Sequence, residues 1–283
     1  MERIQSAIQK ARQAREGKAD PEAVVKDLVA PPVAEPVRPA PNAVVEDAWQ
    51  QLEGFQPSPF LRDKSRIVTL EPGVLATPFD VMRTRIMKQM KSNGWRRLAI
   101  TSPGSACGKT TICLNLAFSF ARQPDLRILV LEVDLRRPSM ARTLGLRKHH
   151  NFADVLAGRE KAGDNLVRYG MNLAFGTNHG PTRHSAELLQ SGKVAEILEK
   201  IEATYAPDLV IFDMPPMLAG DDAIGFLHNV DCALLVAAAG STTIAQVDAC
   251  ERDIAAHTNV LGVTLNKCRY LDKDQAYGYD YYG

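Results

Sequence analysis

The 283-residue chain is 45% hydrophobic and 24% charged, enough to bury a full core, and its formal net charge is +1. That balance supplies no global field for nucleic acid, so any basic partner surface must be local, and composition is otherwise silent on partners; no nucleic-acid partner is among those expected. The five cysteines are odd in number and lack metal-type spacing, which fits a reducing cytoplasm. No apolar run reaches the roughly 18 residues of a membrane span, and the start lacks a leader-type apolar region.

Residues 1–19 predict a basic amphipathic helix, with Ile4, Ile8 and Ala11 on one face and Lys10, Arg12, Arg15 and Lys18 around it. Residues 20–64, which include APPVAEPVRPAP, read as a Pro-rich flexible linker. Trp49, Leu52, Phe55 and Phe60 interrupt it, as anchors onto a folded domain or as isolated apolar residues. Ser65–Leu70 (SRIVTL) predicts a strand. Thr77 is expected to N-cap a helix, with Pro78 in its first turn and Asp80 closing a capping-box-like pair, and the helix to end at Asn93-Gly94.

From Leu98 to Leu116 (LAITSPGSACGKTTICLNL) a short apolar run breaks into a Gly/Pro/Ser turn and re-emerges as a helix. Gly108-Lys109-Thr110 is the end of a phosphate-binding loop: backbone N–H groups wrap phosphate oxygens, the lysine reaches the β/γ-phosphates and the threonine hydroxyl faces Mg²⁺. Pro103 stands six residues before Lys109, where the motif wants glycine, and Gly104 follows it. The apolar run RILVLEV (127–133) delivers Glu132 and Asp134 at its carboxyl end. Strands are also expected at Met171–Gly176, Asp208–Asp213, Asp231–Ala238 and Val260–Leu265, with helices at Ser185 to about Ala203 and Thr242–His257. Alternation over 65–268 implies a doubly wound α/β domain of the P-loop NTPase type, mostly parallel, with ligand at the carboxyl ends of the strands. The remaining 269–283 form a tyrosine-rich tail, where Tyr277, Tyr279, Tyr281 and Tyr282 are four of the seven tyrosines and accessible phosphoacceptors.

Phosphoryl transfer needs a lysine, a metal ion and acids converging on one phosphate. Asp213 ends an apolar strand before Met214-Pro215-Pro216, the position of an aspartate that acts on Mg²⁺. Asp134 and Glu132 have one residue between them, so a regular strand faces them oppositely, although the strand-to-loop break can let both reach the site.

TSPGSACGKTT, LVLEVDLRRP, LVIFDMPP, NFADVLAG and SAELL, with the tyrosine tail, resemble the cytoplasmic kinases of the bacterial tyrosine kinase family that serve capsule and exopolysaccharide synthesis. The similarity runs from about Ser65 to Lys267. The resemblance implies ATP-dependent autophosphorylation of the tail tyrosines, mostly on a neighbouring subunit. It implies a phosphate loop of Gly104, Ser105, Ala106, Cys107, Gly108, Lys109, Thr110 and Thr111, with Asn266 near the adenine of ATP or ADP. Lys109, Asp134, Glu132 and Asp213 are then catalytic, and Thr110, Asp134 and Asp213 serve Mg²⁺. Glu132 stands where the family usually has aspartate, and Ala106 and Cys107 replace Gly and Glu. Of the family's ring-forming motif, Asp80 and Arg83 fit as oligomer contacts, while Ile86 occupies the second arginine position. Expected partners are further copies of the chain, a separate membrane-bound chain-length-determining activator that recruits it to the inner face of the plasma membrane, and a cognate tyrosine phosphatase. Two alternatives stand beside this: a nucleotide-dependent scaffold of polysaccharide assembly that transfers little phosphate, and a partitioning-type ATPase, which usually has lysine where Gly104 stands.

Overall fold

The computed structural model describes residues 43–57 and 64–268. The expected basic helix at 1–19, Phe60 and the tail with Tyr277, Tyr279, Tyr281 and Tyr282 lie outside the described residues.

The compact unit that carries the sheet begins at Ala43, inside the stretch expected to be linker. Helix α1 (Ala43–Gln50) is followed by a two-residue strand β1 (Glu53–Gly54). Val45, Trp49 and Leu52 are all buried. Val45 and Trp49, four residues apart, share one face of the helix and Leu52 follows just past its end, a pattern that the surrounding Pro/Ala composition obscures. Phe55 packs edge-on to Phe175, so the anchoring reading holds for three of the four apolar residues.

Ser65–Leu70 is not a strand. Its polar groups pair with a helix instead: the Val68 amide donates to Asn115 Oδ1 at 2.8 Å, Thr69 Oγ1 donates to Asn115 O at 2.8 Å, and Asn115 Nδ2 donates to Arg66 O at 3.0 Å. One buried asparagine thus supplies what a neighbouring strand would.

Helix α2 (Thr77–Asn93) ends as expected on Gly94, whose φ of 70° is the left-handed C-cap glycine favours. Its start differs. Ala76 is the cap residue, Thr77 Oγ1 donates back to Gly73 O, and Asp80 accepts from Arg83, Ser119 and Arg122 rather than closing a capping box.

Strand β2 (Arg97–Thr101), helix α3 (Lys109–Ala121) and strand β3 (Ile128–Glu132) follow. Short helices α4 (Met140–Leu144), α5 (Phe152–Leu156) and α6 (Ala162–Asn165) lead into β4 (Leu166–Tyr169) and β5 (Leu173–Gly176). The helix expected from Ser185 is two, α7 (Ser185–Leu189) and α8 (Gly192–Tyr205), because Ser191 N-caps the second by accepting from the Lys193 amide. Then come β6 (Leu209–Asp213), α9 (Asp222–Phe226), β7 (Cys232–Ala238), α10 (Ile244–His257) and β8 (Asn259–Asn266).

The strands form one sheet in the order β1-β4-β5-β3-β6-β2-β7-β8, with every neighbouring pair parallel except β4–β5. Alternation along β3 and β6 divides the core: Leu129, Leu131, Val210 and Phe212 join the cluster that includes Trp49 and Tyr205, while Ile128, Val130, Leu209 and Ile211 join the one with Leu114 and Phe118 of α3. Each fully buried side chain of this kind contributes about 1.5–3 kcal/mol. Both faces being covered is what the unbroken apolar runs require.

Candidate functional site

The loops after β2, β3 and β6 meet at the carboxyl end of the sheet. Between β2 and α3 the chain turns through left-handed backbone at Ala106 (φ 61°) and Gly108 (φ 95°). Alternating conformations of this kind direct successive N–H groups into a concavity that holds anions. A Cβ on Gly108 would collide with the side-chain amide of Asn266. That amide donates to Cys107 O at 2.8 Å, so Asn266 braces the loop itself. Ser102 Oγ closes the other side on Gly104 O at 2.8 Å, and Ser105 Oγ accepts from Arg137 at 3.2 Å.

Lys109 and Thr110 open α3, where the helix N-terminus adds its partial positive charge. Lys109 Nζ lies 2.6 Å from Asp134 Oδ2 and 3.9 Å from Asp213 Oδ1. Thr110 Oγ1 donates to Asp213 Oδ2 at 2.7 Å. The two acids are locked together by backbone: the amides of Val133 and Asp134 both donate to Asp213 O, at 2.9 and 3.0 Å. The Arg137 amide donates to Asp134 Oδ1 at 3.1 Å. The fold brings Lys109, Thr110, Asp134 and Asp213, all named from the sequence, within a few ångströms of one another.

Burial pushes the Asp213 carboxyl up, with the Lys109 ammonium and the Thr110 hydroxyl pulling against it. Burial pulls Lys109 down, but the charges of Asp213 and Asp134 outweigh it and its net shift is upward. The partners therefore move the same way, because the lysine has several carboxylates and Asp213 is wholly enclosed. Asp213 Oδ1 is buried without a hydrogen-bond partner. An orphan carboxylate oxygen beside a threonine hydroxyl is a hard oxygen-donor set, which fits Mg²⁺ shared with phosphate oxygens.

Other expected residues sit elsewhere. Glu132 does not reach Lys109; its carboxylate faces the amides of Ser139, Met140 and Asn178. Burial, then the charge of Asp213, raise it to about 7, with those amides opposing. Thr111 continues the first turn of α3, and Cys107 Sγ lies 3.8 Å from Thr242 Oγ1. Asp80 and Arg83 lie on α2 and are bonded to Ser119 of α3. Ser139, Arg137 and Asn178 belong to the site's surroundings; Arg137 entered the sequence reading only within LVLEVDLRRP, Ser139 and Asn178 were not singled out, and the only signal for Ser139 was its place just before a short helix.

A phosphate loop on α3 with acids after two neighbouring strands, set in a mostly parallel sheet, defines a P-loop NTPase. A ParA-type family model, described as the NUBPL iron-transfer P-loop NTPase, matches residues 95–281. Tyrosine-protein kinase YwqD of Bacillus subtilis is 30% identical over 216 residues, which cover 75% of this chain and 90% of that protein. Tyrosine-protein kinase etk of Escherichia coli is 31% identical over 187 residues, and there the match spans 25% of its length. The solved kinase domain of that protein superposes with a TM-score of 0.66 at 26% identity, covering 79% of this chain and 85% of the domain. The septum site-determining protein MinD of Pyrococcus horikoshii, solved with Mg-ADP, shares the fold with a TM-score of 0.53 at 20% identity, covering 65% of this chain and 76% of that one. The chain belongs to the bacterial tyrosine-protein kinase family, within the ParA-type P-loop NTPases. Among the described residues no helix is long and apolar enough to cross a membrane.

Proposed function

We propose that this chain is an ATP-dependent protein tyrosine autokinase that phosphorylates Tyr277, Tyr279, Tyr281 and Tyr282 on a neighbouring copy and thereby regulates exopolysaccharide or capsule polymerisation and export. The observation that carries the reading is the single ammonium of Lys109 set between Asp134 and Asp213 at the head of α3. The tyrosine phenol oxygen forms a bond to the γ-phosphorus while the bond from phosphorus to the β–γ bridging oxygen breaks. ADP leaves, and the phenolic proton passes to Asp134. Lys109 neutralises charge on the phosphates, and the N–H groups from Gly104 to Thr110 hold them in line. Thr110, Asp134 and Asp213 would hold Mg²⁺, which when bound supplies charge neutralisation on the β- and γ-phosphates.

The wider reading includes a homo-oligomer with Asp80 and Arg83 near its contacts, a separate membrane-bound activator that brings the chain from the cytoplasm to the inner face of the plasma membrane, and a cognate tyrosine phosphatase. The test is to incubate the purified full chain with ATP and Mg²⁺ and map phosphotyrosine by mass spectrometry. Modification at residues 277–282 is the expected result. Its absence even with the activator's cytoplasmic segment supplied would sink the proposal.

One observation favours a second reading, a nucleotide-dependent scaffold: Glu132 is engaged away from the lysine, leaving Asp134 as the only acid of its pair beside it. If Lys109→Met abolishes polymer while replacing all four tail tyrosines by phenylalanine does not, the scaffold reading wins.

A further inference from the structure

Glu132 ends β3 with no exposed surface, and both its carboxylate oxygens are committed. Oε1 accepts from the amides of Ser139 at 2.6 Å and Met140 at 2.7 Å. Oε2 accepts from the Asn178 amide at 2.9 Å and from its side chain at 3.4 Å. Asn178 Nδ2 also donates to Glu132 O at 3.0 Å, which ties the same residue to the strand's backbone. An ionised carboxylate offers about four lone-pair positions, and four donors meet them here.

What this arrangement fixes is Ser139. Its hydroxyl donates to Thr110 Oγ1 at 3.2 Å, and Thr110 in turn donates to Asp213 at 2.7 Å. A directed run of hydrogen bonds therefore passes from the turn that Glu132 holds to the acid that ends β6. The length of the side chain matters. An aspartate at the same backbone position is shorter by roughly 1.5 Å and could serve the Ser139–Met140 pair or Asn178, not both.

We propose that Glu132 is a positioning residue: it holds the Ser139–Met140 turn so that the Ser139 hydroxyl becomes an additional oxygen of the nucleotide site beside Thr110, and it takes no proton in the reaction. This rests on the nucleotide-binding half of the function proposed above and is independent of tyrosine as the acceptor.

The test uses the full chain as wild type, Ser139→Ala, Glu132→Gln, Glu132→Asp and the Glu132→Gln/Ser139→Ala double variant, with circular dichroism as the check on folding. Affinity is read with a fluorescent ADP analogue, with Mg²⁺ and with EDTA, and kcat and KM for ATP are measured separately. Ser139→Ala and Glu132→Gln should each weaken Mg-ADP by roughly ten-fold, the size usual for residues that orient metal ligands. Metal-free ADP should change by about two-fold at most. The double variant should be no weaker than Glu132→Gln alone, because both changes remove one device. Glu132→Asp should behave like Glu132→Gln, and KM should rise with kcat largely kept. The proposal is overturned by unchanged Mg-ADP affinity with kcat abolished in Glu132→Gln, by an inert Ser139→Ala, or by additive losses. Should the Glu132 variants misfold, Ser139→Ala decides alone, since it leaves the amide at 139 in place. Should no form, wild type included, phosphorylate tyrosine, the kinase reading fails while the ADP measurements still score this inference.

Discussion

Lys109 Nζ lies 2.6 Å from Asp134 Oδ2 in a site where the side chains are 12% and 6% exposed, so each charge is the other's chief replacement for water. Asp213 Oδ1 shares the same ammonium at 3.9 Å. Removing the lysine strands two buried carboxylates, and breaking a buried pair in this way costs about 3–5 kcal/mol. Lys109→Met is therefore expected to lower the stability of the nucleotide-free protein by about that much, as well as to abolish nucleotide binding. Urea denaturation of Lys109→Met beside Lys109→Met/Asp134→Leu checks the cause: the double variant should recover a good part of the loss. Equal destabilisation in both would contradict the pairing.

Asn266 was expected near the adenine; what the structure shows for its amide is the 2.8 Å hydrogen bond to Cys107 O. Asn266→Ala removes that brace from a loop whose shape depends on left-handed backbone at Ala106 and Gly108. The loss should be about 1 kcal/mol of stability, with nucleotide affinity down by roughly five-fold. Gly108→Ala should do more harm, since the added methyl meets the Asn266 amide and the φ of 95° disfavours any side chain. Calorimetric titration with ADP ranks the three proteins; an affinity in Gly108→Ala above that of Asn266→Ala would refute the account.

The buried parts of the sheet were legible because residues 128–131 (ILVL) and 209–212 (LVIF) are apolar without a break, and only a strand covered on both faces asks for that. The phosphate loop and its two aspartates were legible for a different reason: their chemistry tolerates few substitutes. Strand β4 escaped notice since LVRY is short and pairs antiparallel to β5 at the far side of the sheet. Ser65–Leu70 misled because β-branched residues suit an extended chain, whatever completes its hydrogen bonds, and Asn115 lies 46 residues from Thr69. The destination of Glu132 depended on where Asn178 returns after β5, a tertiary fact that no local pattern carries. The facing of Glu132 and Asp134 was left open by the strand-to-loop break, and the fold resolved it by giving them different partners.

His150 offers a pH handle away from the phosphate site. Burial lowers its imidazole from the usual 6.5, reinforced by the charges of Lys148 and His179, while the Asp164 backbone and Glu53 oppose. The folded value lies below the unfolded one, so as pH falls through 6.5 the unfolded chain takes up the proton first. The contribution to stability is present above that point and is lost progressively on acidification toward the folded value. Replacing His150 by Asn should flatten the difference in unfolding free energy between about pH 7.5 and about pH 5.5. A variant with the wild-type slope would assign the acid sensitivity to other groups.

Trp49 decides where the folded unit starts. It is fully buried, its Nε1 donates to Tyr205 O at 2.7 Å, and its ring meets Tyr205 edge-on at 6.2 Å. Glu46 on the same helix pairs with Arg127, just ahead of β3, so α1 is tied both to α8 and to the entry of a central strand. Trp49→Ala opens a cavity against Tyr205 and leaves its carbonyl without a donor, for a cost of about 3–5 kcal/mol. Trp95 is the other tryptophan, so Trp95→Phe makes Trp49 the sole reporter. Its emission should be blue-shifted in the native protein and move to the red in the same denaturant transition as the loss of helical circular dichroism. A separate, earlier transition for the fluorescence, or a loss below about 1 kcal/mol in Trp49→Ala, would return α1 to the linker and place the start of the domain after it.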